Sequence, residues 1–230
     1  MRVLLIVPAY NEEESILGVV GEIRAAGYDY VVVNDGSSDS TAKVCRAAGV
    51  NLLSLSRNLG IGGAVQAGHL YAYEHGYDID IQVDGDGQHD ISYVPRLVEA
   101  IENGADLAIG SRFVSATGGF QSTALRRLGI GWLKGCIRLA SGLTIHDATS
   151  GFRASGRRAI ELFARNYPFD YPEPESIVTA HRSGLKVVEV GVTMRERQGG
   201  TTSISPLSSI YYMIKVSLAV LIQGFGTRRG

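Results

Sequence analysis

No stretch of this 230-residue sequence reaches the roughly 18–20 consecutive apolar residues that a membrane-crossing helix needs. The nearest candidate, 210–222, falls short. Cysteine is scarce. Cys45 and Cys136 each stand alone in helix-like stretches, which excludes a disulfide framework and fits the reduced thiols of a cytosolic protein. Net charge is nearly absent as well: at −1 there is no basic field for nucleic acid or for long-range attraction to anionic lipid. An anionic ligand must then be held by local arginines, backbone amides or a metal. Repeats, low-complexity segments and linkers are missing, so a single domain is expected. The opening run, Arg2 to Val7, is too short for a signal peptide and lacks its small-residue cleavage site. There is no Walker-type phosphate loop. Gly60, Gly62 and Gly63 mimic part of a dinucleotide fingerprint, but they follow a third strand and the pattern is completed by Val65, so that reading is rejected.

What is present is ordinary globular material, 45% apolar and 20% charged, enough to bury a full core. Strand-like runs alternate with amphipathic ones through the first half, the pattern of a mostly parallel sheet with crossover helices. Strands are expected at 3–7, 30–33 and 52–55, then one leading into Asp84, then 106–110 and 186–190. Helices are expected from about Glu12 to Gly27, after Ser38–Ser40 to Gly49, from Gly60 to His75, over 92–103 and over 125–141. Small residues at Gly62, Gly63, Ala64, Ala67 and Gly68 allow the third helix to pack closely. Residues 111–123 read as a loop over the site. Residues 146–153 read as a polar turn, and 171–175 as a Pro-rich acidic stretch before a short helix.

The chain is organised around Asp84-Gly85-Asp86-Gly87-Gln88-His89, where an apolar run ends in two carboxylates separated by one glycine. In α/β proteins ligands bind where parallel strands run out. Such a turn can aim both carboxylates at one hard cation, or it can be a solvated Asp-Gly turn. Three more polar clusters follow strands: Pro8-Ala9-Tyr10-Asn11-Glu12, Asn34-Asp35-Gly36 and Ser56-Arg57-Asn58-Leu59-Gly60. Together they suggest a continuous ligand crevice. Asp35 either accepts hydrogen bonds from a nucleobase or ribose, or sits as a carboxylate at a helix start.

Those four clusters, in order and spacing, resemble the family-2 glycosyltransferases across roughly the first half of the chain. Gly110-Ser111-Arg112, Thr149-Ser150-Gly151-Phe152-Arg153 and Arg197-Gln198-Gly199-Gly200-Thr201-Thr202-Ser203 resemble the polyprenyl-phosphate branch, typified by dolichol-phosphate mannosyltransferase. The resemblance implies a GT-A-like α/β fold, a doubly wound, mixed but mostly parallel sheet over residues 1–204. An apolar C-terminal helix and tail follow at 205–230. It implies a metal-dependent, inverting transfer of a hexose from a nucleotide-diphosphate sugar to a polyprenyl phosphate. Pro8, Tyr10, Glu12 and Asp35, with Asn58 and Gly60, would hold the nucleotide. Asp84, Asp86 and Gln88 would bind Mg²⁺ or Mn²⁺. Arg112, Arg126 or Arg127, and Arg197, with Ser203, would meet phosphate groups, including that of the acceptor. Two departures stand out: Asp-Gly-Asp replaces the commoner Asp-Ala-Asp, and Thr201-Thr202-Ser203 lacks the lysine of a frequent Ser-Lys pair.

The chemistry is consistent with these roles. A departing nucleoside diphosphate calls for a cation, and guanidinium forks suit phosphate oxygens. An acceptor phosphate needs no strong base, whereas the hydroxyl of a growing surface polysaccharide would. For that alternative Asp147 is the candidate base, or else a turn carboxylate capping Ser150. A non-catalytic nucleotide-sugar-binding subunit of a membrane complex is the other alternative. His69, His75 and His181 read as surface or packing residues, and His89 either packs or approaches the metal. Glu173 and Glu175 flank Pro174 either in a site loop or in a solvated turn. Residues 208–222 form a helix apolar nearly all round, to be buried on the core, a second copy, an integral membrane protein or a lipid interface. The expected location is cytoplasmic, peripheral at the inner face of the cell membrane.

Overall fold

The branched apolar run after Arg2 forms β1 (Val3–Ala9), in the interior of the sheet. The computed structural model describes residues 1–114, 124–195 and 206–225, without the side chains of 124–128, 130, 206–214 and 225. β1 pairs in parallel with β2 (Asp29–Asn34) on one side and β4 (Ile79–Gln82) on the other, and β3 (Leu52–Ser54) extends the sheet beyond β2. Crossovers run through α1 (Ile16–Ala25), α2 (Thr41–Ala47) and α3 (Gly60–Glu74). α1 begins at Ile16 rather than near Glu12, because Asn11 takes a left-handed φ of 57° and the chain turns before it coils. After β4 a 3-10 turn (Ile91–Tyr93), capped by the Asp90 carboxylate on the Ser92 amide, leads into α4 (Val94–Glu102).

β5 (Leu107–Ser111) does not lie beside β4. β6 (Arg153–Gly156) inserts antiparallel between them, and β7 (Val187–Gly191) closes the edge parallel to β5. The order is β3-β2-β1-β4-β6-β5-β7, a mixed, mostly parallel sheet flanked by helices. The sequence reading ended its polar turn at Arg153 and expected no strand there. Arg-Ala-Ser-Gly carries no apolar alternation, and all four residues are buried.

α6 (Arg157–Arg165) follows β6 directly and was also not anticipated. The Pro-rich acidic stretch is the first turn of α7 (Pro172–Arg182), where a proline sacrifices no helical hydrogen bond. α5 (Ala124–Ser141) and α8 (Pro206–Phe225) complete the helices. They run side by side in the same direction: Trp132 Nε1 donates to Ser217 Oγ at 2.8 Å, and a Cβ on Gly224 would overlap Ala140. Gln223 ties α8 to α7 through Thr179 Oγ1 at 2.9 Å. Val216 and Val220 are buried, while Leu218 and Ile222 stay exposed. Among the described residues no helix is long and apolar enough to cross a membrane. The packing expected of α3 is present, since Gly68 lies so close to Ile6 of β1 that a Cβ there would overlap it. Cys45 and Cys136 are buried and unbridged.

Candidate active site

The polar clusters after β1, β2, β3 and β4 converge on one crevice of about 340 Å³ at the carboxyl ends of these strands. Its lining includes Pro8, Tyr10, Glu12, Asp35, Asn58, Gly60, Asp84 and Asp86, all expected from the sequence, and Glu173.

One wall is a set of loops laced by side chains. Asn11 Oδ1 accepts from the Ser38 amide at 2.9 Å, and the Asn11 amide donates to Ser37 Oγ at 3.0 Å. The Glu12 amide donates to Thr41 Oγ1 at 2.9 Å. Asp35, only 3% exposed, accepts from the Leu59 amide at 2.7 Å and so joins the loop after β2 to the loop after β3. Asn58 Oδ1 accepts from the Gly60 amide at 2.9 Å, and Gly60 needs its left-handed φ of 77° to start α3. Tyr10 stays 48% exposed at the mouth.

The acidic turn is held from below. The Asp84 amide donates to His89 Nδ1 at 3.0 Å, which puts the ring proton on Nε2, 3.5 Å from Asp84 Oδ2. His89 stacks on Phe152 with ring centroids 4.8 Å apart. It packs and positions; its Nδ1 is spent on backbone rather than offered to a cation. Gln82 Nε2 donates to Asp84 Oδ1 at 3.1 Å, and Asp86 Oδ1 accepts from the Gln88 amide at 3.0 Å. Gln88 is not among the crevice-lining residues; what it supplies here is backbone. Gly151 lies against the same carboxylate, so that a Cβ there would sit 3.2 Å from both Asp84 oxygens. Among the described residues no group of three or more His, Cys, Asp or Glu forms a self-sufficient metal cage. Two carboxylates are nonetheless the donor set that suits Mg²⁺ or Mn²⁺ when phosphate and water oxygens complete the shell.

Arg112 and Asp147, neither of them among the crevice-lining residues, are paired. Asp147, 1% exposed, takes Arg112 Nε and Nη2 at 2.7 Å each and the Arg112 amide at 3.0 Å. The Glu189 carboxylate in turn accepts from the His146 and Asp147 amides at 2.8 Å each. The sequence reading gave Arg112 and Asp147 separate tasks; the fold joins them, and both Asp147 oxygens are engaged. Arg126 and Arg127 fall in the first turn of α5, with side chains outside the described residues. Arg197 and Ser203 lie outside the described residues altogether.

The buried Arg153 guanidinium spends its N–H groups on the carbonyls of Ala148, Ser150 and Glu173 and on Ser176 Oγ. Burial pushes the Glu173 carboxyl above the ordinary glutamate range; Arg153 and the residue's own amide oppose this, and the Asp84 charge adds to it. Glu175 is also raised by burial, against the amide of Tyr171 that it accepts at 3.1 Å. The sequence left Glu173 undecided because its spacing from Asp84 carries no periodic signal.

Residues 4–163 match the sequence model described as Glycosyl transferase family 2. The undecaprenyl-phosphate mannosyltransferase of Micrococcus luteus is 36% identical over 219 residues, spanning 89% of this chain and 88% of that protein. The polyprenol monophosphomannose synthase of Mycolicibacterium smegmatis is 32% identical over 231 residues, spanning 94% and 86%. Among solved structures, glucosyl-3-phosphoglycerate synthase from Mycobacterium tuberculosis, crystallised with Mn²⁺ and UDP, superposes with a TM-score of 0.72. It covers all of this chain and 81% of that one at 22% identity, which shows a shared fold.

Proposed function

The chain belongs to glycosyl transferase family 2, and on that premise we propose that it transfers a hexose from a nucleotide-diphosphate sugar to a polyprenyl phosphate. The observation that carries this reading is the single crevice in which Asp84 and Asp86 meet the wall built by Tyr10, Glu12 and Asp35. That wall suits a base and ribose, and the carboxylate pair suits the cation of a diphosphate. The similarity to two polyprenyl-phosphate mannose enzymes over most of the chain supports the acceptor.

Pro8, Tyr10, Glu12, Asp35, Asn58 and Gly60 hold the nucleoside. Asp84 and Asp86, with Gln88 beside them, would hold Mg²⁺ or Mn²⁺, which would supply positive charge to offset that of the departing diphosphate. An acceptor phosphate oxygen bonds to the anomeric carbon as the bond to the diphosphate oxygen breaks, with inversion. The nucleophile has no proton to lose. Arg112, Arg126, Arg127, Arg197 and Ser203 gather the phosphates. Asp147 holds Arg112 in one orientation, so little side-chain freedom is lost when it meets an anion. A saccharide hydroxyl would need a base, and Asp147 has both oxygens on Arg112, which favours the phosphate acceptor.

The enzyme works peripherally at the inner membrane face. Trp132 and Leu139 on α5 and Leu218 and Ile222 on α8 are exposed on neighbouring helices, and they would enter the lipid interface. Co-sedimentation with lipid vesicles that persists in a folded chain lacking 206–230 would remove α8 from that role. A mass that doubles with concentration would give the helix to a homodimer instead.

The test is a product assay. The purified protein with Mg²⁺ or Mn²⁺ receives labelled UDP-, GDP- and dTDP-sugars, with and without undecaprenyl phosphate. Acceptor-dependent label in an organic-extractable lipid is the expected result. Nucleotide release without labelled lipid would move the acceptor to a saccharide, and donor binding without turnover would favour a binding subunit.

A further inference from the structure

A nucleotide sugar is a linear ligand, and the sheet fixes the direction in which it lies. Asp35 and Tyr10 follow β2 and β1, and the carboxylate pair follows β4. The next strand on the side away from β1 is β6. A diphosphate anchored at Asp84 and Asp86 therefore directs its sugar toward the start of β6 and whatever stands over it. Glu173 stands there. Arg153, the first residue of β6, donates from Nη1 to the Glu173 carbonyl at 2.6 Å and to Ser176 Oγ at 2.8 Å, pinning the first turn of α7 against the crevice.

We infer that the Glu173 carboxyl is a specificity-determining contact for a hydroxyl of the transferred hexose, an inference that rests on the nucleotide-sugar reading above. Glu175 Oε1 accepts from the Tyr171 amide at 3.1 Å, while the Glu173 carboxyl accepts from its own amide in the first turn of α7, a bond that orients it and leaves further lone pairs for a ligand hydroxyl. Arg153 grips the Glu173 main chain and Ser176, and Glu173 lines the crevice with Asp84 and Asp86. A carboxyl group offers two oxygens to sugar hydroxyls, and a site built on such a bond discriminates strongly against a ligand that cannot make it.

The experiment compares equilibrium binding of UDP-glucose and GDP-mannose with that of UDP and GDP, all with Mn²⁺, to wild type, Glu173→Gln and Glu173→Ala. The expected result is a loss of about tenfold to a hundredfold in nucleotide-sugar affinity for Glu173→Ala, a smaller loss for Glu173→Gln, and nucleoside-diphosphate affinity within about twofold of wild type. Equal losses for sugar and bare nucleotide, or no loss for either, overturn the role of Glu173 while wild-type binding leaves the nucleotide-sugar reading standing. Wild type that binds neither sugar nucleotide overturns both. The unchanged bare-nucleotide affinity also certifies that the variants fold.

Discussion

Asp147 and Arg112 are joined by three hydrogen bonds, two from the guanidinium at 2.7 Å and one from the Arg112 amide at 3.0 Å. The pair ties the end of β5 to the segment before β6. Removing Arg112 strips the buried Asp147 carboxylate of its guanidinium, and removing Asp147 strips Arg112 of its carboxylate; breaking a buried pair in this way costs about 3–5 kcal/mol. Asp147→Asn and Arg112→Ala are each expected to lower urea stability by that amount, and the double variant by less than the sum. Full stability in Asp147→Asn, with activity lost, would return Asp147 to the role of a base.

The Gly151 backbone lies against the Asp84 carboxylate. A methyl group there would meet Gln82 Nε2 at 2.9 Å and both Asp84 oxygens at 3.2 Å. Gly151→Ala is therefore expected to weaken Mn²⁺ binding in the presence of UDP or GDP by about tenfold, close to one lost charged hydrogen bond, with thermal stability little changed. Titration calorimetry reads the first quantity and a melting curve the second.

Gly68 makes the opposite kind of contact, within the core. A methyl group on it overlaps Ile6 Cγ2 on β1, so Gly68→Ala forces α3 away from the sheet. The expected cost is about 1–3 kcal/mol in denaturant unfolding, without a selective effect on nucleotide affinity.

Burial raises the Glu173 carboxyl, the Arg153 charge opposing and the Asp84 charge assisting. The folded chain thus holds this proton more tightly than the unfolded chain. That contribution to stability is complete below the unfolded glutamate pKa and is lost as pH rises through the folded one. In metal-free buffer, Glu173→Gln is expected to gain on wild type as pH is raised from about 4, near the unfolded glutamate value, through the higher folded one. Urea midpoints across that range check the sign.

How much of this was legible in the sequence follows from how far each signal reaches. β1 and β2 announce themselves because a strand buried on both faces is a continuous apolar run, β4 by the alternation of Ile79-Asp80-Ile81-Gln82, and Asp84 and Asp86 stand out because that strand stops on them. The close packing of α3 was visible in its small residues, Gly62, Gly63, Ala64, Ala67 and Gly68, and Gly68 against Ile6 is its outcome. β6 was hidden: Arg153-Ala154-Ser155-Gly156 has no pattern, and its burial comes from neighbours on both sides, β4 and β5. The Arg112–Asp147 pair was equally hidden, since each residue is plausible alone and only the antiparallel return of the chain brings them together. Glu173 enters the crevice for the same reason, through Arg153.

Asp86, 4% exposed beside the more open Asp84, is the residue on which the account turns. The most direct measurement is transfer of labelled sugar into undecaprenyl phosphate by wild type and by Asp86→Ala, with Mn²⁺ and with chelator. Labelled lipid is expected from wild type with metal alone, with a loss of at least about a hundredfold, nearly 3 kcal/mol of barrier, in the variant and under chelation. Labelled lipid made equally well by Asp86→Ala, or by wild type stripped of metal, would contradict it.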